Sequence, residues 1–106
     1  MKPIIDWKNY KERHRFYNCK EWHNLRTYIL QNEPLCRHCK ENDIITPATE
    51  CDHIIDIDEA PHLRLKFDNI QPLCKECHSK KTFNKILHNR DKLKLNTRTK
   101  WNVNQS

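Results

Sequence analysis

The chain has 106 residues, of which 36% are hydrophobic and 32% charged, with a formal net charge of +6 and a pI near 9.1. That length leaves room for one small domain with a modest core, and no apolar run of roughly 18 residues offers a membrane span. The basic balance favours a polyanionic partner, of which nucleic acid is the commonest.

Residues 1–17 read as a loosely ordered basic arm. Trp7, Tyr10, Phe16 and Tyr17 mix there with Lys8, Lys11, Arg13, His14 and Arg15 without a clean period. The opening Met1-Lys2-Pro3-Ile4-Ile5-Asp6-Trp7 has no apolar signal-peptide core. The six cysteines of the chain therefore read as thiols of a reducing cytoplasm, not as disulfides of a secreted miniprotein. From Asn18 to Asn32, Trp22, Leu25, Tyr28 and Ile29 fall at helical spacing, with Asn18 placed as N-cap and Pro34 stopping the helix. Cys19 and Cys51 have no partner at ligand spacing and read as ordinary or core thiols. Cys36 and Cys39 form a first Cys-x-x-Cys pair, followed by a polar turn at Lys40-Glu41-Asn42-Asp43. Because the chain contains no glycine, any residue at positive φ is expected to be Asn or Asp. Residues 48–55 alternate as a strand, which would send Asp52 and His53 to opposite faces unless a bulge intervenes.

Asp56 to Lys66 reads as a loop, Asn69 to Leu73 as a second strand and Lys75 to Leu87 as a helix, with Cys74 and Cys77 at its start and His78 next. Residues 89–106 read as a polar tail, so that 18–88 form the domain proper. A two-residue gap lets both sulfurs of each pair turn toward one point, and two such knuckles suit a tetrahedral zinc about 2.3 Å from each sulfur. The loop between them is longer than the roughly 15–20 residues of a simple zinc ribbon, and it carries Asp52, His53 and Asn69.

In this order, Cys36-x-x-Cys39, Cys51-Asp52-His53-Ile54-Ile55, Phe67-Asp68-Asn69-Ile70-Gln71-Pro72-Leu73-Cys74 and Cys77-His78-Ser79-Lys80-Lys81-Thr82 resemble an HNH endonuclease of the zinc-stapled type. The likeness is to the small stand-alone HNH proteins of phages and prophages. It implies an α+β chain: a ββα-metal (His-Me finger) fold with a four-cysteine structural zinc site on Cys36, Cys39, Cys74 and Cys77, and flanking helices. It also implies His53 as general base, Asn69 as the residue that orients the base or its loop, and Asp52 and His78 as ligands of a catalytic divalent ion. Mg²⁺ or Mn²⁺ suits that pair, and the nitrogen ligand tilts the choice in vitro toward Mn²⁺, Ni²⁺ or Zn²⁺.

An imidazole with an ordinary pKa of about 6.5 is suited to deprotonating water near neutral pH. Lys80, Lys81 and Lys85 are placed to meet DNA phosphates. Many relatives have a proline where this chain has Asp56, and Asp56 and Asp58 stand as minor candidate ligands. His38 and His62 read as loop residues, and His14, His23 and His88 as surface residues. Family likeness alone suggests a packaging role beside phage terminase, in the cytoplasm of a bacterial host. The alternative is a zinc-stapled nucleic-acid-binding or adaptor protein without catalysis.

Overall fold

The computed structural model describes the backbone of residues 5–97 and side chains through residue 90. The first four residues, and the part of the expected tail from 98 onward, lie outside the described residues. Helix α1 spans Tyr10–Tyr17, within the stretch expected to be a loose arm. Asn9 caps it by accepting a hydrogen bond from the Lys11 N–H at 2.8 Å, and Glu12 sits in the first turn, where an acid complements the exposed N–H groups. Phe16 is buried, with Trp7 edge-on against it at 5.9 Å between ring centroids, so this segment is part of the core. Helix α2 spans Lys20–Asn32 with Cys19 at its N-cap. Asn18, expected at that N-cap, closes α1 instead, its side-chain amide donating to the His14 carbonyl at 2.9 Å. α2 buries Trp22 and Ile29, and its last turn is closed by the Glu33 N–H on Ile29 O at 2.8 Å, just before Pro34.

Helix α3, Arg37–Glu41, lies inside the first knuckle and is followed by Asp43 at φ 60°, the positive-φ residue of the acidic type that a glycine-free chain requires. Strands β1 (Glu50–His53) and β2 (Ile70–Leu73) pair antiparallel, Glu50 opposite Leu73 and His53 opposite Ile70. Both are shorter than their sequence spans suggest, although Thr49 N–H on Leu73 O and Ile54 N–H on Asn69 O continue the ladder at each end. The register steps residue for residue, so the bulge anticipated between Asp52 and His53 is absent from β1. Strand alternation then divides the neighbours: Cys51 and His53 face α1 and α2, while Glu50 and Asp52 face α4, the helix Lys75–Thr97. α4 runs past the expected end at Leu87 and takes in residues assigned to the tail.

The main core joins Phe16, Trp22, Ile29, Ile57 and Ile70, with Leu25 and Cys51 packed at its edge. A second cluster holds Cys36, Leu73 and Cys74. The loop between β1 and β2 contributes Ile57 and Ala60 to the buried set and turns without glycine, Glu59 and Ala60 N–H groups both donating to Asp56 O.

Candidate active site and metal centres

Each Cys-x-x-Cys pair sits at a helix start, Cys36 as N-cap of α3 and Cys74 immediately before α4. The N–H groups of Cys39 and Cys77 point back at the Cys36 and Cys74 sulfurs, each at 3.5 Å. The four Sγ atoms lie within 4.8 Å of one another, with Cys39 at 3.8 Å from Cys74 and 3.6 Å from Cys77. Sulfurs about 2.3 Å from one tetrahedral zinc stand roughly 3.8 Å apart, so the set has the size of a zinc site. Burial opposes ionisation of Cys36, yet backbone hydrogen bonds from Cys39 and Cys74 hold its thiol down at about 7, whereas burial and the neighbouring sulfurs push Cys77 up to about 12. A cation among the four sulfurs would favour their thiolate forms. The four cysteines could thus hold a zinc.

On the α4 face of β1, Asp52 is nearly buried and its two oxygens have different partners. Oδ2 is held by the Lys81 ammonium at 2.9 Å and the Gln71 amide at 3.2 Å, Gln71 being its cross-strand partner. Oδ1 faces His78 Nε2 at 3.6 Å. Two neighbouring ligand atoms each about 2.1 Å from one ion lie roughly 3 to 4 Å apart, so Asp52 Oδ1 and His78 Nε2 could hold a divalent cation. His78 is carried there by the first turn of α4, its N–H bonded to Cys74 O at 3.0 Å, so the knuckle sets its position. Lys81 also donates to the His53 carbonyl at 2.8 Å.

His53, on the other face, is 3% exposed and stacked on Trp22 at 5.0 Å and 19° between rings, with Phe16 and Tyr17 at 6.0 and 6.1 Å. Its Nε2 lies 2.9 Å from the Arg64 carbonyl, which can only accept. Nε2 therefore carries the hydrogen, and Nδ1 is the nitrogen with the lone pair. Burial lowers the His53 pKa from its ordinary 6.5, against the opposing pull of the Arg64 carbonyl and of Asp52 and Asp56. The ring is neutral at neutral pH.

Asn69, buried at the start of β2, touches no atom of the His53 ring in the bonds that hold it. It accepts from the Ile55 N–H at 2.8 Å and donates to Ile55 O at 3.1 Å and Leu63 O at 3.3 Å. It thereby ties the end of β1 to the loop residue preceding Arg64, whose carbonyl holds His53. Arg64 is fixed in turn by Pro61 O at 2.7 Å and by lying over the Trp7 ring. Asp52, His53 and His78 all line one groove, together with Arg26, Tyr17 and Lys85.

Three comparisons with known proteins bear on this site. Residues 36–84 match the family model described as HNH endonuclease. A probable HNH endonuclease of Lactococcus phage SK1 is 36% identical over 72 residues, covering 63% of this chain and 74% of the relative. The chain belongs to the HNH endonuclease family. A solved structure, the HNH endonuclease of the deep-sea thermophilic bacteriophage GVE2 with a manganese ion, matches with a TM-score of 0.68 at 34% identity, over 74% of this chain and 86% of that one. The fold class expected from the sequence, a small α+β HNH fold with a four-cysteine cluster, is the one observed, and the chain is an endonuclease by family.

Within this HNH domain the remaining expected residues scatter. Lys80 is exposed, whereas Lys81 and Lys85 are turned inward onto carboxylates, Lys85 reaching Asp56 at 2.8 Å and Asp58 at 3.0 Å. Asp56 and Asp58 thus have lysine partners, and His62 is exposed in a short 3-10 turn, Pro61–Leu63. The aromatic wall of Phe16, Tyr17 and Trp22 and the Arg64 carbonyl are the parts sequence reasoning missed. Asn9 with Glu12 three residues later is a helix-start signature, and it could have revealed α1. No helix among the described residues is long and apolar enough to cross a membrane.

Proposed function

We propose that the protein is a metal-dependent DNA endonuclease that hydrolyses phosphodiester bonds, with His53 as general base. The observation that carries this reading is the meeting of Asp52, His53 and His78 in one groove, with Asp52 Oδ1 and His78 Nε2 3.6 Å apart. Neutral His53 accepts a proton from the attacking water at Nδ1, while its Nε2–H stays on the Arg64 carbonyl. Asn69 holds the loop that presents this carbonyl, which makes it a positioning residue acting through the backbone. Asp52 and His78 hold a divalent ion, Mg²⁺ or Mn²⁺, with Ni²⁺ and Zn²⁺ as substitutes in vitro. When bound, that ion supplies positive charge for the scissile phosphate and the departing 3′ oxygen. Cys36, Cys39, Cys74 and Cys77 hold a structural zinc that fixes α4, and hence His78, against β1. Lys80 meets DNA phosphates, while Lys81 and Lys85 neutralise Asp52, Asp56 and Asp58 beside the groove.

Incubation of supercoiled plasmid with zinc-loaded protein tests this reading. Relaxed or linear DNA with Mn²⁺ or Mg²⁺ and none with EDTA is expected, and intact plasmid under every metal would overturn it. The phage origin of both relatives supports a place beside packaging proteins, terminase included. Co-purification with a terminase subunit from the same genome tests that part.

A further inference from the structure

Nothing in the sequence singles out Glu50, a strand acid two residues before Asp52. In the structure it shares the α4 face of β1 with Asp52, and its Oε1 stands 3.3 Å from His78 Nδ1. The opposite ring nitrogen, Nε2, faces Asp52 Oδ1 at 3.6 Å. The imidazole is therefore spanned by two carboxylates, one at each nitrogen. Asp52 is the nearly buried one, with Oδ2 already engaged by Lys81 and Gln71, and the Glu50 and His78 side chains are each 36% exposed.

We infer that Glu50 is a positioning residue for the catalytic ion: it accepts the Nδ1–H of His78 and so fixes the tautomer whose Nε2 lone pair points at Asp52. The physical reason is the division of labour on an imidazole ring. A neutral histidine carries one hydrogen, and a metal needs the bare nitrogen, so a carboxylate that takes the Nδ1–H decides which nitrogen is bare. Elsewhere a neutral ring is free to place that hydrogen on Nε2, which would block the atom facing Asp52. The scaffold makes the contact reproducible. Glu50 is paired with Leu73 in the sheet, the next residue is Cys74, and the Cys74 carbonyl holds the His78 N–H at 3.0 Å. With both side chains this exposed, the contact adds little to stability.

This inference rests on the proposal that Asp52 and His78 hold the divalent ion. Its test uses the full-length zinc-loaded protein as wild type, Glu50→Ala and Glu50→Gln, with two readouts: the His78 tautomer from ¹⁵N chemical shifts with the ring neutral, and Mn²⁺ affinity from the EPR signal of free Mn²⁺. Wild type is expected to show Nδ1–H. Glu50→Ala should shift His78 toward Nε2–H and weaken Mn²⁺ binding about 10- to 100-fold. Glu50→Gln, whose carbonyl oxygen accepts the same bond, should keep the tautomer and most of the affinity. An unchanged tautomer and affinity in Glu50→Ala, with Mn²⁺ still taken up by wild type, overturns this inference alone. A Glu50→Gln protein that behaves as Glu50→Ala does also overturns it, because charge and not orientation would then be the cause. Failure of wild type to bind Mn²⁺ overturns both this inference and the ion site on which it rests.

Discussion

Replacing Cys74 by serine removes one of the four sulfurs and leaves the second knuckle with a poor zinc ligand. The cluster around it contains little else: Leu73 is its one buried aliphatic side chain, flanked by Pro72. Full burial of a leucine contributes about 1.5–3 kcal/mol, whereas a structural zinc contributes about 10–16 kcal/mol of folding free energy. A domain of this size has a total stability of about 5–15 kcal/mol, so loss of the ion is comparable to the whole margin. Cys74→Ser is therefore expected to be unfolded by far-UV circular dichroism and to lack bound zinc by elemental analysis, and chelation of wild type should abolish its cooperative melt. Cys19→Ser and Cys51→Ser, at thiols outside the cluster, should retain one zinc per chain. A Cys74→Ser protein that melts cooperatively at the wild-type temperature, or wild type that survives zinc removal unchanged, would refute the reasoning.

Three further outcomes are expected. Asn69→Ala removes the part-buried hydrogen bond from the Ile55 N–H and should cost about 0.5–1.5 kcal/mol in urea unfolding; a loss below a few tenths of a kcal/mol would show the loop is held by other means. Because burial lowers the His53 pKa below 6.5 and the neutral ring is the base, cleavage should rise with pH along a limb whose midpoint lies below 6.5 and then hold through neutrality. A midpoint at or above that value in single-turnover rates contradicts the assignment. Lys81→Met removes the ammonium 2.9 Å from Asp52 Oδ2. With unit charges 4 Å apart repelling by about 4 kcal/mol near a protein surface before salt screening, Mn²⁺ should bind roughly tenfold more tightly by calorimetry; weaker binding would mean that Lys81 is needed to hold Asp52 in place.

The four-cysteine cluster was legible because thiol chemistry and local spacing specify it almost without the fold: Cys36, Cys39, Cys74 and Cys77 converge as their two pairs suggest. The strands were legible from alternation, and so was the conflict between Asp52 and His53. Its resolution was not, since it depends on both residues lining one groove from opposite faces of an unbulged strand. The aromatic wall behind His53 escaped for a related reason. Phe16 and Tyr17 follow a run of basic residues whose pattern is set by solvent, and only contact with Trp22, on the next helix, sets Phe16 in the core and Tyr17 edge-on against the indole. Lys81 and Lys85 look like a basic helix face in one dimension, but α4 lies across Asp52, Asp56 and Asp58 and turns them inward. The longer β1–β2 loop hides the Arg64 carbonyl altogether, because backbone acceptors leave no mark in a sequence.

The central claim is that His53 acts as base beside an ion held by Asp52 and His78. Single-turnover cleavage of a defined DNA duplex in saturating Mn²⁺, comparing wild type with His53→Ala on samples matched for zinc content and DNA affinity, tests it most directly. A fall of about 100-fold or more in the cleavage rate, with binding unchanged, is the predicted result. Cleavage by His53→Ala at the wild-type rate would contradict the account.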